Sequence, residues 1–455
     1  MRDVIFSLLI LALVPVAYRR PLIGMLTFSW LAYMRPNDLC WGFAREQRWS
    51  FLIAAVTAVG YFSNAKGKWF VRDARCYVMI VLALWVGLSI LMGSMKSPLQ
   101  TNLYVEYCKI IGIALFTTVV VVRREHLRLM MWIIALSFGF YGVKVGLSGV
   151  LSGGHIKVLQ GPGGMLEDNN NFGLALTMGL PLLVQLAKSE RSKVLRRGVM
   201  AMIPLTALTI FLTHSRGAFL ALGAMAVALV WRSKNRLLGF GILAASLVGA
   251  LSFVDRSYLD RLNTIQDYEQ DGSAMGRLAA WATALNMAKA EPAFGVGYGM
   301  FQQNYWNYAS GSSHEGKRVA HNAYLQVLAE CGTPAFLMYT SLIVFSMLSI
   351  WKVRKRAKQL YYSSWILDYA AMMESSMIAF IVGSVFLNRA QFDLFYHFVA
   401  LVLCFERIAI AEMEGRGEES GERSRGGELR VVRPRGFGNV VRRVGFGRAV
   451  PGGLA

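Results

Sequence analysis

Arginines beside apolar segments are the residues of this sequence best suited to chemistry. Arg216 lies in "FLTHSRGAFL" (211–220) between two apolar runs, and Arg389 lies in "FLNRAQFD" (386–393). An arginine at the middle of a membrane-spanning helix costs about 2.5–3.5 kcal/mol on insertion scales, and less near a helix end. Two interpretations of Arg216 follow. Its side chain snorkels to the membrane interface, or its guanidinium clamps an anion at the outer membrane boundary, where lipid-linked phosphates lie.

Arg277 lies on the helix predicted for "SAMGRLAAWATALNMAKAEP" (273–292), one turn before Trp281 and on the same face. The closest acidic residues in the sequence are Asp271 and Glu291. A solvated helix face and a site for a ligand anion are both open for Arg277. The scarcity of acidic neighbours favours the anion.

His321 opens a second predicted helix, "HNAYLQVLAECG" (321–332), which Gly332 ends. The positive end of a helix dipole favours a neutral imidazole, and a neutral imidazole accepts protons. His214 and His314 have the same chemistry and remain alternatives. A structural histidine held by hydrogen bonds is the other interpretation of His321.

A second group of polar and aromatic residues lies near these positions. We expect the first two to position sugar or loop, the tryptophan to stack on a sugar face, and the last residue to fix His321. Each also has a structural interpretation that the sequence leaves open. The group consists of Asp168, Asn170, Trp281, Tyr298 and Asn322.

Several common motifs are missing from the sequence. "GVGYGMF" (295–301) has the spacing GxGxG rather than GxGxxG and lies outside any βαβ pattern, which argues against dinucleotide binding. Asp168 has no second carboxylate at metal-ligand spacing, so we expect no metal site. The cysteines are odd in number and without CxxC spacing, so neither a disulfide framework nor zinc is expected. They are Cys40, Cys76, Cys108, Cys331 and Cys404.

The elements that position these side chains are predicted to be membrane-spanning helices. Of the 455 residues, 55% are hydrophobic and 16% charged, against about 25% charged in soluble domains. Apolar runs close to the roughly 20 residues that a spanning helix needs recur along the chain. We predict an all-α bundle of 12 or 13 spans, near 3–17, 21–34, 50–63, 76–93, 108–122, 129–150, 172–187, 199–213, 217–231, 237–254, 333–350, 371–388 and 393–410.

The first two runs flank "YRRP" and fit a hairpin, an interfacial piece or two spans. A cleaved signal peptide is not expected, because no small-residue cleavage site follows the first run.

The net charge of +21 is placed in a way that argues against nucleic acid. Successive basic segments are separated by two predicted spans each, so all of them can face the cytoplasm. The tail from 411 onward is rich in glycine and arginine, and we expect it to be disordered and attracted to anionic membrane lipids. The basic segments are "SNAKGKWFVRDAR", "RREHLR", "KSERSKVLRR", "RSKNR" and "WKVRKRAK".

With the basic segments inside, the long stretch 255–332 is predicted to lie outside together with several short segments. Loops longer than about 15 residues are usually functional or disordered, and this one contains the two helices described above. The sequence therefore divides into an N-terminal bundle (1–254), the large loop (255–332), C-terminal spans (333–410) and the tail (411–455). The short outer segments are 35–49, 94–107, 152–171, 214–216 and 389–392.

Four blocks of the sequence resemble, in this order, the bacterial O-antigen ligase and polymerase superfamily. The opening "WLAYMRPNDLCWGFA" (30–44) further resembles its O-glycosylation ligase branch, which is associated with exosortase and exopolysaccharide systems. The blocks are "DNNNFGLAL" (168–176), "THSRGAFLAL" (213–222), "GRLAAWATALNMAKAEPAFGVGYGMF" (276–301) and "AHNAYLQVLAECG" (320–332).

The resemblance implies a GT-C-type glycosyltransferase in the bacterial inner membrane, active at the periplasmic face without cofactor, metal or nucleotide sugar. Such an enzyme moves a glycan from undecaprenyl diphosphate to a hydroxyl of lipid A core or of a protein, with inversion. The paired arginines of the family fall on Arg216 and Arg277 and its loop histidine on His321, with Arg389 and His214 as further substrate-binding candidates.

Two alternatives to the ligase remain. A polymerase of the same superfamily uses the same lipid-linked donor. A non-enzymatic transporter of the lipid-linked polysaccharide requires charged residues inside the spans, whereas the key residues here cluster outside them.

Overall fold

The computed structural model describes residues 1–64, 69–232, 235–237, 239–241, 272–309, 318–360, 365–386 and 391–424. In these residues helices are the regular elements, and β-structure is limited to one isolated bridge between Gln160 and Asp168. Met1–Ile410 form one compact unit, and residues from Ala411 onward form another.

The α-helices are numbered in chain order among the described residues. They are α1 (Arg2–Arg19), α2 (Pro21–Tyr33), α3 (Phe43–Glu46), α4 (Trp49–Asn64), α5 (Ala74–Met92), α6 (Pro98–Val120), α7 (Arg124–Leu151), α8 (Asn169–Ser189), α9 (Lys193–Leu212), α10 (Arg216–Trp231), α11 (Gly272–Ala290), α12 (Phe301–Tyr308), α13 (Ala323–Gln359), α14 (Trp365–Gly383) and α15 (Asp393–Ser424).

Eight of the described helices are long and apolar enough to cross a membrane, namely α5 to α9 and α13 to α15. Three shorter apolar helices, α2, α4 and α10, accompany them. The all-helical membrane fold expected from the sequence is confirmed. The total of 12 or 13 crossings stays a prediction, because most of the run 237–254 lies outside the described residues.

One helix begins earlier than the span predicted for it. The sequence predicts a span near 108–122, whereas α6 begins at Pro98, and the outer location of 94–107 stays a prediction. The Ser97 side chain accepts from the backbone of the first turn, and the Gln100 side chain accepts from the Ser97 N–H, so a capping box starts the helix early. Gln100 is then buried, and its Nε2 donates to the Tyr298 carbonyl at 3.1 Å, which places its polar amide inside the protein.

The core of the bundle is built around α8, which packs against α7, α9 and α14. Glycines of α7 bring the α9 backbone close, since a Cβ on Gly146 would lie 2.4 Å from the Leu205 carbonyl oxygen. Thr209 Oγ1 donates to the Gly142 carbonyl at 2.8 Å across the same interface. Helix α10 packs against α14 and α8, so the helix that begins with Arg216 rests on the most buried part of the bundle.

At one end of the bundle, several arginines form ion pairs with carboxylates, and we call this the paired end. Glu374 of α14 accepts from Arg232 after α10, from Arg354 of α13 at 2.8 Å, and from Trp351 Nε1 at 2.9 Å. Arg75 of α5 likewise contacts Asp73 and Glu406. Helix α10 runs from Arg216 at the opposite end, which we call the loop end, to this paired end.

At the loop end, the segment 295–300 wraps around α13, and we call it the glycine strap. Val296 N–H donates to the Ala329 carbonyl at 2.9 Å and Gly297 N–H to the Glu330 carbonyl at 3.1 Å. Gly295 has φ 69°, and a Cβ there would lie 2.4 Å from the Glu330 carbonyl carbon, so a side chain does not fit. The GxGxG pattern therefore packs a loop against a helix.

Helix α13 is interrupted beneath the strap. Gly332 has φ 79° and ψ 178°, which is not helical, and α13 continues beyond it to Gln359. The predicted stop at Gly332 is thus a break between two helical pieces. Thr333 N–H donates to the Pro292 carbonyl at 2.8 Å, so the loop that follows α11 is bound to α13 at this break.

Candidate functional site

Arg216 is the first residue of α10 and is half-buried. The preceding Ser215 caps the helix, because its Oγ accepts from Ala218 N–H at 3.1 Å. The same hydroxyl donates to Asn170 Oδ1 at 2.6 Å. The direction in which the Arg216 backbone enters α10 is therefore fixed by a neighbouring helix as well as by its own cap.

The start of α8 supplies this support. Asp168 caps α8 by accepting from Asn170 N–H at 2.9 Å and Asn171 N–H at 3.2 Å. Asn169 Nδ2 donates to the Thr213 carbonyl at 2.9 Å. Asn169 and Asn170 thus hold the turn before Arg216, and Asp168 caps the helix that carries them. Direct contact of Asp168 or Asn170 with a sugar stays a prediction.

Phe386, at the end of the short 3-10 helix Ser384–Phe386, joins the two predicted arginine positions. The Arg277 Cζ lies 5.9 Å from the Phe386 ring centroid. On the other side, a Cβ on Gly217 would lie 2.4 Å from the Phe386 Cβ, so the backbone next to Arg216 touches the same residue. The loop helix α11 and the start of α10 therefore meet at one aromatic side chain.

His321 lies in the short segment that leads into α13. Helix α13 begins at Ala323, two residues later than predicted, because Asn322 is its cap and accepts from Tyr324 N–H at 3.0 Å and Leu325 N–H at 3.1 Å. Trp281 Nε1 donates to the Ala320 carbonyl at 3.0 Å and ties the His321 segment to α11.

Helix α14 holds the same segment from the other side. The Tyr324 hydroxyl donates to the Ile381 carbonyl at 3.0 Å, five residues before Phe386. The segment around His321 is therefore attached to α11 through Trp281 and to α14 through Tyr324, near Phe386.

Two histidines of the loop end, His214 and His321, have an unusual backbone conformation. His321 has φ 47° and His214 has φ 52°, and Arg35 is the third non-glycine residue with positive φ in the part of the chain that the structure describes. Left-handed backbone in a non-glycine residue costs free energy and concentrates at functional sites. The observation favours neither histidine over the other.

Tyr298 lies away from the arginine position. It is 3% exposed, and its ring centroid lies 5.8 Å from that of Tyr107. Burial raises the pKa of the Tyr298 hydroxyl well above its usual value. The cavity that it lines with Glu330 and Tyr339 measures about 10 Å³, room for one water molecule and not for a sugar ring.

Two further candidates, Arg389 and His314, lie outside the described residues. Phe386 was not predicted from the sequence, since an isolated phenylalanine in an apolar run gives no signal of a role. Among the described residues no group of three or more His, Cys, Asp or Glu is placed to hold a metal ion.

Comparison with known families gives two matches along the chain. Residues 1–188 match a family of unknown function. Residues 201–340 match the O-antigen ligase family, and this range contains Arg216, Arg277 and His321. No curated protein matches the chain. The match over 201–340 supports the assignment of the chain to the O-antigen ligase superfamily.

Proposed function

We propose that this membrane protein transfers a glycan from undecaprenyl diphosphate to an acceptor hydroxyl of lipid A core or of a protein, at the periplasmic face of the inner membrane. The observation that carries the proposal is the meeting at Phe386. This side chain contacts the Arg277 guanidinium and the backbone beside Arg216. The third residue, His321, is tied to the same helix α11 through Trp281.

Arg216 and Arg277 stabilise the leaving group. Negative charge grows on the diphosphate as the bond from the anomeric carbon to its phosphate oxygen breaks, and the electron pair of that bond stays on the oxygen. Guanidiniums in a poorly hydrated cleft stabilise this charge more in the transition state than in the ground state. That difference accelerates the transfer.

His321 accepts the proton of the acceptor hydroxyl. As the hydroxyl oxygen forms its bond to the anomeric carbon, the proton moves to a neutral imidazole nitrogen, and the diphosphate leaves from the opposite face with inversion. The caps and hydrogen bonds on Ala320, Asn322 and Tyr324 restrict the position of His321. Restriction of this kind is what general base catalysis requires.

Charge placement supports the proposed orientation in the membrane. Arg232 after α10 and Arg354 of α13 lie at the paired end, and both belong to basic segments that favour the cytoplasm. The residues of the candidate site lie at the loop end. Cysteine labelling of Ser94 and His155 positions in whole cells tests this, because both are predicted to be accessible from the periplasm.

The function is tested with purified protein in nanodiscs, undecaprenyl-diphosphate-linked glycan and a candidate acceptor. We expect Arg216→Ala and His321→Ala to lower the transfer rate about a hundredfold or more with unchanged folding. The controls Arg45→Ala and His155→Ala change exposed residues of the same types at the loop end and keep full activity.

Full transfer by both site variants would defeat the proposal. Product length in the same assay separates a ligase, which moves one preformed glycan, from a polymerase, which lengthens the chain. Movement of the lipid across the bilayer without any glycan product would support the transporter instead.

A further inference from the structure

A cavity lies at the paired end, where the start of α5 meets α13 and α15. It measures about 240 Å³, which is room for several water molecules or for a small polar group. Its wall is formed by Asp73 and Arg75 at the start of α5, by one face of α13 and by Glu406 of α15. Arg216, Arg277 and His321 do not line it, so this cavity is separate from the candidate site for glycan transfer.

The α13 face that lines the cavity changes from apolar to charged along the helix. Its four residues have the spacing i, i+3, i+4 and i+7 and are Phe345, Leu348, Ser349 and Lys352. Phe345 is 39% and Leu348 51% exposed, and both belong to a helix long and apolar enough to cross a membrane. An exposed apolar surface that leads to charged groups at a helix end fits the acyl chains and the headgroup of one lipid molecule.

Among the described residues, the charged side chains that line the cavity have both signs and sum to zero. Asp73 and Glu406 supply two negative charges, and Arg75 and Lys352 supply two positive charges. The Asp73 side chain is 25% exposed and that of Glu406 is 14% exposed, although both contact the Arg75 guanidinium. A ligand without net charge keeps this arrangement neutral, whereas an anionic lipid adds a negative charge that nothing in the cavity balances.

The Arg75 guanidinium has one donor atom without an acceptor. Arg75 is 2% exposed, and its Nε and Nη2 donate to the carboxylates of Asp73 and Glu406. Its Nη1 has no hydrogen-bond partner among the described residues. Buried polar atoms in folded proteins almost always have a partner, so an oxygen from a bound molecule is expected here.

We propose that the cavity binds phosphatidylethanolamine, a phospholipid without net charge whose headgroup carries a primary ammonium and a phosphate. The ammonium donates to Asp73 and Glu406, and the phosphate accepts from Lys352 and from Arg75 Nη1. The acyl chains lie along the apolar part of the α13 face. The bound lipid connects α5, α13 and α15, and this role does not depend on the glycan transfer proposed above.

The test compares three lipids that differ in one feature of the headgroup. Phosphatidylcholine is also without net charge, but its methylated ammonium has no N–H donors, and phosphatidylglycerol has the phosphate without a cation. The full chain is equilibrated in mixed micelles with equal amounts of the three lipids, and native mass spectrometry measures which lipid stays bound. We expect phosphatidylethanolamine to bind about tenfold more tightly than phosphatidylcholine, as for one charge-assisted hydrogen bond, and phosphatidylglycerol to bind most weakly.

Two variants separate the two halves of the headgroup. Glu406→Gln keeps the size of the side chain and removes its charge, so the preference for phosphatidylethanolamine over phosphatidylcholine should fall about tenfold, to near equality. Lys352→Gln should weaken the binding of both lipids by the same factor, because the phosphate is common to them.

Glu190→Gln is the matched control for Glu406→Gln. The Glu190 side chain is 13% exposed and is paired with Arg128 away from the cavity, so this variant should keep the full preference. Ser349→Trp fills the cavity without changing a charge and should abolish retention of all three lipids, which tests the site even where Glu406→Gln does not fold. Equal binding of phosphatidylethanolamine and phosphatidylcholine by the wild type would overturn the proposal, as would an unchanged preference in folded Glu406→Gln or normal lipid retention in Ser349→Trp.

Discussion

Two arginines at the paired end and two arginines at the loop end have different neighbours. At the paired end, Arg232 and Arg354 both donate to Glu374, whose side chain is 3% exposed. At the loop end, Arg277 lies over the Phe386 ring and Arg318 over the backbone of Gly276. A carboxylate accepts the N–H donors of a guanidinium, whereas the face of a ring attracts its positive charge.

This difference separates structural arginines from candidate binding arginines. The Glu374 carboxylate accepts from two guanidiniums and so connects the ends of three helices. Removal of the carboxylate or of either arginine therefore destabilises the fold. The guanidinium of Arg277 is proposed above to bind an anion, and its planar fork of N–H donors suits that role. We expect substitutions at the paired end to affect stability and those at the loop end to affect transfer.

The largest effect is expected for Glu374→Ala. The substitution leaves Arg232 and Arg354 facing each other without the carboxylate between them, which should lower the free energy of unfolding by about 3–5 kcal/mol. Unfolding in mixed detergent micelles measures it. The control Glu106→Ala removes a carboxylate that is 67% exposed and should have almost no effect. Equal stability of the two variants would contradict the structural role of Glu374.

Arg277→Ala should act on rate instead. Loss of one transition-state donor lowers kcat about 10²- to 10³-fold, or roughly 2.7–4 kcal/mol, and the unfolding transition should stay near that of the wild type. Arg277→Lys should recover only part of the rate, because a lysine lacks the planar fork. Arg128→Lys, which changes a 42% exposed arginine paired with Glu190, is the matched control and should keep full activity. An unfolding transition lowered as much as in Glu374→Ala would remove the contrast between the ends.

Trp281→Phe is expected to have the smallest effect, and Trp85→Phe is its matched control. Each tryptophan donates its Nε1 hydrogen to a backbone carbonyl at 3.0 Å, Trp281 to Ala320 before α13 and Trp85 to Cys331 within it. Both variants should lose about 1 kcal/mol of stability. Only Trp281→Phe should also slow transfer, since only Ala320 adjoins His321. Steady-state transfer rates of the two variants measure this difference. Equal rates would contradict the positioning role of Trp281.

The sequence predicts the helices well, because lipid-facing and core-facing positions are both apolar and the runs are long. It also places Arg277 and Trp281 correctly on one helix, since their spacing is local. It does not reveal Phe386, Gly276 or Glu374 as contact residues. Their partners come from distant parts of the chain, and hydropathy contains no information about such pairs.

The start of α6 shows another contact that the sequence does not reveal. The segment 94–107 is predicted to lie outside the spans, and its buried Gln100 side chain donates to the Tyr298 carbonyl of the predicted outer stretch 255–332. A buried amide with a distant backbone partner has the same sequence signal as a solvated one. The roles of Arg389 and His314 stay predictions.

The glycine strap limits how this molecule can be altered. Its backbone has positive φ at 295, 297 and 299, so an ordinary side chain at any of these three positions would be strained. Mutational libraries aimed at new sugar or acceptor specificity should therefore lose stability at these three glycines. Diversity has to be introduced on neighbouring surfaces, with this stretch left invariant.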